Sequence, residues 1–135
     1  MNQFKLDDLE VYLIAMELGD IVWDITVQWD SFSKFTLGKQ VVKSADSIAN
    51  NISEGYGRFS NKENIHFCYI ARGSLFETAT ALKKATGRGL IDPEKSIILE
   101  SIINKLFPKL NSYINHLKKI TNQQLNQPTI KPINQ

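Results

Sequence analysis

The sequence contains a single cysteine and no uninterrupted apolar stretch near the ~20 residues that a transmembrane helix needs. One cysteine excludes a disulfide within the chain, so Cys68 is interpreted as a small buried apolar residue. The N-terminal stretch MNQFKLDDLEVY carries acidic residues where a secretory signal peptide has basic residues and then an apolar core. Together these absences predict a cytoplasmic protein with no membrane span.

Glycine and proline, with seven and four copies, are absent from long stretches of the chain and cluster at the breaks between them. Between the breaks there is no alternation of apolar and polar residues of the kind that indicates strands. Short connections between long helices favour antiparallel neighbours. The sequence therefore predicts an all-α fold, an up-down-up-down antiparallel four-helix bundle that spans residues 1–120 as one domain. The remaining residues, 121–135, are polar and proline-spaced, which predicts a disordered tail.

The first predicted helix, residues 7–29, is apolar on two sides. One side is a ladder at helical spacing that faces the core: Val11, Ile14, Leu18, Ile21, Val22, Ile25 and Trp29. The roughly opposite side is a second ladder: Leu9, Tyr12, Met16, Gly19, Trp23 and Val27. Only a narrow acidic strip is left for water, and a bundle this small has no second cover to offer. We therefore expect Tyr12, Met16 and Trp23 to be covered by another subunit of a homo-oligomer.

The second predicted helix, residues 36–56, follows the connection DSFSKF and has Thr36 as its predicted N-cap. Beside its apolar stripe runs a ladder of mainly small polar residues: Gln40, Ser44, Ser47, Asn51, Glu54 and Arg58. Small side chains permit a neighbouring helix to approach closely, and their polar groups then need hydrogen-bond partners. The ladder is predicted to form a seam with a helix of the same subunit or of the next one.

The third predicted helix runs to residue 86 and has a clear start signal. Ser60 and Glu63 have the spacing of a capping box, in which each side chain bonds the backbone beside the other. One face of this helix carries small residues suited to tight packing. The other face is larger and mixed, and Tyr69, Arg72 and Phe76 on it are further candidates for the oligomer surface.

The fourth predicted helix covers residues 93–120. Asp92 is its predicted N-cap, and Pro93 occupies the first turn, where a missing backbone donor does no harm. Pro108 falls on the side away from the apolar stripe. We expect it to kink the helix near Asn104 rather than to end it.

Charge is distributed unevenly along the chain. Residues 1–30 hold seven acids and one lysine, a net charge of −6, and the remainder holds 15 bases and 7 acids, a net charge of +8. Antiparallel helices would gather the basic residues at the two ends of the bundle. The candidates for binding nucleic-acid phosphates there are Lys39, Lys43, Arg58, Lys62, Lys83, Lys84, Arg88, Lys118 and Lys119. The alternative interpretation is an ordinary solvated surface with an acidic helix beside basic ones.

The sequence indicates no catalytic site. Its two histidines lie on different predicted helices, with no carboxylate or cysteine at metal-ligand spacing. Glu54 and Glu77 either form a carboxylate pair for acid–base chemistry or, as we favour, pair with Arg58 and Arg72 within or between subunits. We therefore expect no enzyme activity, no metal ion, no cofactor and no small-molecule substrate.

Three blocks of the chain, FKLDDLEVYLIAMELGD, LGKQVVKSADSIANNISEGYGR and IARGSLFET, carry a family resemblance. In that order they resemble the four-helix-bundle proteins encoded in intervening sequences of bacterial 23S ribosomal RNA genes, over residues 4–117. That family is similar in turn to the accessory variability protein of diversity-generating retroelements. The resemblance implies a barrel-like homopentamer and, through the retroelement relative, a basic surface that binds nucleic acid. One of two consecutive basic positions of the family pattern is Val42 here.

The predicted function is that of a non-catalytic, homo-oligomeric helical-bundle protein that binds RNA or other nucleic acid through basic rims. The subunit number of five comes from the resemblance, whereas association itself is predicted from the two-sided helices. The alternative is a scaffold for protein–protein interaction that does not bind nucleic acid.

Overall fold

The computed structural model describes residues 5–126, and every regular element within that range is helical. A 3₁₀ turn (Leu6–Asp8) precedes α1 (Glu10–Thr26). A single turn, α2 (Ser31–Ser33), continues through a π-helical stretch (Lys34–Gly38) into α3 (Lys39–Tyr56). Two further long helices follow, α4 (Asn61–Gly87) and α5 (Pro93–Asn126). The prediction of an all-α fold with four long helices is confirmed for these residues.

The second helical run starts earlier than the sequence predicted. The Asp30 carboxylate accepts a hydrogen bond from the backbone N–H of Ser33 at 3.1 Å, so Asp30 is the N-cap and helix begins at Ser31. Thr36 lies inside the π-helical stretch, where its hydroxyl donates to the carbonyl oxygen of Phe32 at 2.7 Å. The prediction of Thr36 as N-cap is wrong because Asp30 already offers a carboxylate cap. DSFSKF therefore contributes to the helical run instead of forming a loop.

Two other predicted helix starts are confirmed. The Ser60 hydroxyl accepts a hydrogen bond from the backbone N–H of Glu63 at 3.1 Å, as the capping box at the start of α4 requires. Asp92 accepts a hydrogen bond from the backbone N–H of Lys95 at 3.0 Å and so caps α5. The end of the first helix differs, since α1 stops at Thr26 and not at residue 29.

The last helix is longer than predicted. Pro108 lies on the exposed side of α5 and, as predicted, does not end it. The helix continues to Asn126, so the predicted end at residue 120 is wrong. The segment TNQQLN contains no helix breaker, and the next proline in the chain is Pro128. The rest of the predicted disordered tail, residues 127–135, lies outside the described residues.

The hydrophobic core lies between the four long helices. α3 packs against α1 and α4, and α5 likewise packs against α1 and α4, so each long helix has two neighbours. Cys68 is fully buried, as predicted. The core-facing side of α1 is buried at Val11, Ile14, Leu18 and Val22. Within residues 5–126, none of the helices combines the length and the apolar character that a membrane crossing requires. The cytoplasmic location stays a prediction.

The polar ladder of α3 forms a seam with α4 of the same chain. The Ser47 and Ser74 hydroxyl oxygens lie 2.9 Å apart, and so do those of Ser44 and Thr78. The Asn51 amide donates to the Ser47 hydroxyl at 2.9 Å. The sequence left open whether this seam lies within or between subunits. These contacts lie within one chain and supply partners for hydroxyls that close helix packing removes from water.

Candidate functional site

Four basic side chains from two helices line one groove beside the start of α3. Lys39 and Lys43 stand one turn apart on α3, and Lys84 and Arg88 stand one turn apart at the end of α4. The groove has a volume of about 540 Å³. Its lining is completed by Phe32, Thr36, Leu37 and Gln40. We call it the lysine groove.

The local sequence explains why these four cations face solvent together. Leu37, Val41 and Ala45 are buried, so the helical period turns Lys39 and Lys43 outward between them. Leu82 and Ala85 are buried in the same way at the end of α4, where Lys84 and Arg88 are exposed. Lys84 lies in the last turn of α4, where the helix dipole favours a positive charge.

None of the four cations takes part in an ion pair within residues 5–126. The ion pairs of that range join Arg58 to Glu54 at 2.8 Å, Arg58 to Glu63 at 3.7 Å, and Lys109 to Glu10 at 2.9 Å. The lysine groove therefore presents positive charge that no salt bridge of the described chain neutralises. Such a surface attracts phosphate groups.

The structure does not bring the other predicted cations into this groove. Arg58 is held between two carboxylates. The Lys118 ammonium lies over an aromatic ring of α4, 5.4 Å from its centroid. Lys83 lines a different groove, between α4 and α5. Lys62 and Lys119 are exposed and do not line the lysine groove.

A second groove, of about 460 Å³, lies beside the same helical run. It shares Lys39 and Lys43 with the lysine groove, and Trp23, Val27 and Phe35 supply much of its apolar wall. We call it the aromatic groove. The two grooves together place aromatic and basic side chains next to one another, which is a common composition for surfaces that bind nucleic acid.

Phe32 and Phe35 are the residues of this region that the sequence reasoning missed. Both are largely exposed, at 77% and 72%. Both fall in the predicted connection DSFSKF, because Thr36 is the predicted start of the helix. The spacing of Asp30 and Ser33, a carboxylate followed three residues later by a free backbone N–H, is the signal that places both rings on the helical run.

The surface of α1 predicted to contact another subunit is exposed in the single chain at several positions. Met16 is 43% and Trp23 is 56% exposed, whereas Tyr12 is partly buried. Leu13, which the prediction did not include, is also exposed. Gly19 is buried instead, so this member of the second ladder was assigned to the wrong environment. It faces α3, where a Cβ at Gly19 would lie 3.0 Å from an Asp46 carboxylate oxygen.

A depression between the middle of α1 and the middle of α3 is acidic, in contrast to the lysine groove. Partial burial, followed by the negative charge of Asp20, raises the pKa of the Asp46 carboxyl above its usual value. Ala15, Met16 and Asn50 lie in the same shallow depression as these two carboxyls. The two surfaces of the bundle therefore differ in the sign of their charge.

Tyr69, Arg72 and Phe76 lie along α4 where it meets α5. Tyr69 and Phe76 are exposed, and the ring centroid of Phe76 lies 4.6 Å from that of Phe107. The Arg72 guanidinium donates to the side-chain oxygen of Asn111 at 2.9 Å. Within residues 5–126 of one chain Arg72 therefore binds an amide oxygen of α5 and no carboxylate, and its pairing with a carboxylate of another subunit stays a prediction.

Glu54 and Glu77 do not form a carboxylate pair. Glu54 binds Arg58, whereas Glu77 lines a groove with Gln40 and Ser44. Ser44 and Glu54 are ten residues apart on α3, which separates them by about 15 Å along the helix. Within residues 5–126, no group of three or more histidine, cysteine or carboxylate side chains is placed to hold a metal ion.

Comparison with known proteins adds one relationship. The sequence model of the family described as 23S rRNA-intervening sequence protein matches residues 7–112. No curated protein matches the chain. Because the family match covers well over half of the 135 residues, the chain belongs to the 23S rRNA-intervening sequence protein family.

Proposed function

We propose that the protein is a non-catalytic nucleic-acid-binding protein that holds the phosphate backbone in the lysine groove. The observation that supports this most directly is the groove itself. Lys39, Lys43, Lys84 and Arg88 line it, and none of them has an ion pair within residues 5–126. Lysine and arginine bind phosphate through charge and hydrogen bonds, and the release of counterions drives such binding without base reading. RNA is the first ligand to test, since the family name refers to an rRNA-intervening sequence.

The position of the groove fits an up-down-up-down antiparallel arrangement of α1, α3, α4 and α5, which is part of the proposal. Paired contacts support it. Ser47 contacts Ser74, whereas the earlier Ser44 contacts the later Thr78, so residue numbers fall along α3 as they rise along α4. The contacts between α4 and α5 follow the same rule. In this arrangement the start of α3 meets the end of α4, and the four cations converge.

We further propose that the protein is a homo-oligomer in which another copy covers the outer side of α1. Leu13 and Met16 support this, because they are exposed apolar residues on a helix whose other side is buried. Trp23 and Val27 lie further along α1 and line the aromatic groove, so we place the contact between copies on the first half of the helix. Five subunits is the number that the family resemblance implies, and the relation to the retroelement accessory protein stays a prediction. A ring would repeat the lysine groove and strengthen its field. Size exclusion with light scattering measures the subunit number, and a monomer at every concentration would contradict this part.

A protein-interaction scaffold is the second candidate function. The exposed rings of Tyr69 and Phe76 beside Phe107 favour it, since aromatic residues are enriched at interfaces. Affinity capture with the wild-type protein and with Phe76→Ser tests it. A partner that the wild-type protein retains and the variant loses would support the scaffold. Recovery of only the protein's own chain would count against it.

The nucleic-acid proposal is tested by measuring affinity for a fluorescent RNA as a function of salt. The affinity of the wild-type protein is expected to fall steeply as salt rises. The variant Lys39→Gln/Lys84→Gln is expected to bind more weakly and to lower the slope of log affinity against log salt by roughly one per lysine. DNA of the same sequence is measured in parallel.

Lys62→Gln/Lys119→Gln is the matched control, because it removes the same charge from exposed positions outside the groove. It is expected to keep most of the affinity and the slope. Equal losses in the two double variants would show that binding, if present, is not located in the lysine groove. Failure of the wild-type protein to bind RNA or DNA at low salt would overturn the proposed function.

A further inference from the structure

Two exposed phenylalanines lie beside Lys39 and Lys43, and binding of phosphate does not account for them. Phe32 lines the lysine groove and Phe35 lines the aromatic groove. Each ring has more than two thirds of its surface in contact with water. Neighbouring exposed apolar side chains mark a binding surface, whereas an isolated one such as Phe59 does not.

The rings and the lysines form one stripe along the helical run. Phe32, Phe35, Lys39 and Lys43 follow one another at spacings of three or four residues, which is the spacing of neighbours on one side of a helix. Lys39 and Lys43 line both grooves, so an aromatic ring is available on either side of the ammonium row. At 1.5 Å per residue the stripe is about 16 Å long, enough to follow several nucleotides.

The backbone that carries the rings is anchored to the core. Trp29 is buried, and a Cβ at Gly38 would lie 3.4 Å from its ring and 3.2 Å from the carbonyl oxygen of Ser33. Glycine therefore permits the π-helical stretch to lie close against Trp29. The hydroxyl of Thr36 also bonds the carbonyl oxygen of Phe32 at 2.7 Å. The two rings are thus held outward by an ordered helical run.

The surroundings of the rings favour a nucleic acid over a protein as the covering ligand. Lysine is depleted at the centres of protein–protein interfaces, yet lysines flank both rings without ion pairs in the described chain. A phosphate backbone complements this charge. A phenyl ring can stack on the flat face of a base. In a duplex these faces are already stacked on neighbouring bases, so only unpaired bases are available to the ring.

We infer that the lysine groove binds single-stranded nucleic acid, with its phosphates on Lys39, Lys43, Lys84 and Arg88 and unpaired bases stacked on Phe32 and Phe35. This inference rests on the proposed function and specifies the form of its ligand. Stacking on phenylalanine discriminates little among bases, because every base has an aromatic face. The site therefore selects unpaired nucleotides without reading a particular sequence.

The test compares Phe32→Ala/Phe35→Ala with the wild-type protein by fluorescence anisotropy. The ligands are single-stranded RNA of about ten nucleotides, the same sequence as DNA, a duplex of equal length, and polyphosphate as a ligand with charge but no bases. The double variant is expected to lose roughly tenfold or more in affinity for single strands and none for polyphosphate. The wild-type protein is expected to prefer single strands to the duplex. The RNA and DNA arms show whether the 2′-hydroxyl contributes.

Phe59→Ala is the matched control, because Phe59 is fully exposed beyond the other end of α3. It is expected to leave every affinity unchanged, and Phe35→Trp is expected to retain binding to single strands. Equal affinity of the wild-type protein for duplex and single strands would overturn the inference. So would a loss for polyphosphate that equals the loss for oligonucleotides, or a change in subunit number in the double variant, which would make the rings a contact between copies. If the wild-type protein binds neither RNA nor DNA, the proposed function fails as well.

Discussion

The lysine groove and the region around the turn between α3 and α4 both contain basic and aromatic side chains, but within the described part of the chain only in the turn region do these side chains bind one another. In the turn region, which we call the turn corner, Arg58 binds Glu54 and Glu63, and the Asn64 amide donates to the Tyr113 hydroxyl at 3.1 Å. The cations of the lysine groove have no such partners within residues 5–126. A region that satisfies its own polar groups contributes to stability, and one that leaves cations unpaired is available to an external anion.

The aromatic residues of the two regions repeat this difference. At the turn corner the Arg58 guanidinium lies 4.7 Å from the centroid of the partly buried Phe67 ring, so cation and ring satisfy each other. Beside the lysine groove, Phe32 and Phe35 are exposed and have no cation over their rings among the described contacts. We therefore expect substitutions at the turn corner to change stability, and substitutions at the groove to change binding.

The largest expected effect on stability is that of Gly55→Ala at the turn corner. A Cβ at Gly55 would lie 2.6 Å from the side-chain oxygen of Asn64, 3.0 Å from its carbonyl oxygen and 3.0 Å from the Cβ of Phe67. The last two atoms cannot rotate away, so α3 and α4 must separate. We expect a loss of about 2 kcal/mol in the free energy of unfolding, measured by urea denaturation at a fixed protein concentration.

Gly57→Ala is the control for this prediction. Its Cβ would meet nothing closer than 3.7 Å, and the residue has φ of −82°, which any residue adopts. We expect its stability to be unchanged or slightly higher, because alanine restricts the unfolded chain more than glycine does. Similar losses of unfolding free energy in the two variants would show that the close contact of Gly55 with α4 does not cause the loss.

The second prediction concerns the alkaline limit of stability. Burial raises the pKa of the Cys68 thiol from its ordinary value of 9.0 to about 12. Between these two values the thiol ionises in the unfolded chain but stays protonated in the folded one, so stability is constant below about pH 8 and falls above pH 9. We expect a loss of about 1 kcal/mol by pH 10, measured as urea midpoints across pH 7–10.

Cys68→Ser removes the titrating thiol from this position and is expected to flatten the dependence up to pH 10. The Tyr113 hydroxyl, whose pKa burial also raises, ionises in the unfolded chain only near its ordinary value of 10.0. Its contribution lies mainly above the measured range. An unchanged slope in the serine variant would contradict the assignment to Cys68.

The parts of the fold that depend on local spacing were predictable from the sequence. The N-caps at Ser60 and Asp92 each need only a few consecutive residues, and both predictions are confirmed. The start of the second run was missed because Asp30 and Thr36 offer two caps, and the earlier one forms the helix. Because of that single error, Phe32 and Phe35 were not predicted to lie on the helical surface and were not among the candidate site residues.

The parts that depend on the register between helices were not predictable. The sequence identified Lys39, Lys43, Lys84 and Arg88 as basic, together with several other cations, but not which of them share a groove. Their convergence depends on how far α4 slides along α3, and contacts such as the Ser47–Ser74 hydrogen bond determine that register. Arg58 was likewise predicted both as a rim cation and as a partner of Glu54. The structure adds the ion pair between Arg58 and Glu63, so within residues 5–126 Arg58 has more carboxylate partners than any other candidate cation.

A smaller effect than that of Gly55→Ala is expected for Ser60→Ala, which removes the side-chain cap of α4. The backbone N–H of Glu63 then loses its acceptor, and we expect a loss of about 1 kcal/mol in the free energy of unfolding. The comparison variant is Ser112→Ala, at an exposed position inside α5, where alanine is expected to be neutral or slightly stabilising. Equal behaviour of the two serines would mean that the capping bond contributes nothing measurable.

The smallest effects on stability test the comparison most directly, because positive charge is removed from each region, one cation at the turn corner and two at the lysine groove. Arg58→Gln breaks two exposed ion pairs, so we expect a loss of about 0.5 kcal/mol that shrinks as salt rises. Lys39→Gln/Lys84→Gln removes cations that have no ion pair, and its unfolding free energy is expected to stay within about 0.3 kcal/mol of wild type. Affinity for RNA should follow the reverse order, with Arg58→Gln close to wild type and the lysine variant weakened. If Arg58→Gln lost as much RNA affinity as the lysine variant, the turn corner would also bind phosphate. The paired cation of the turn corner would then not differ in function from the unpaired cations of the lysine groove.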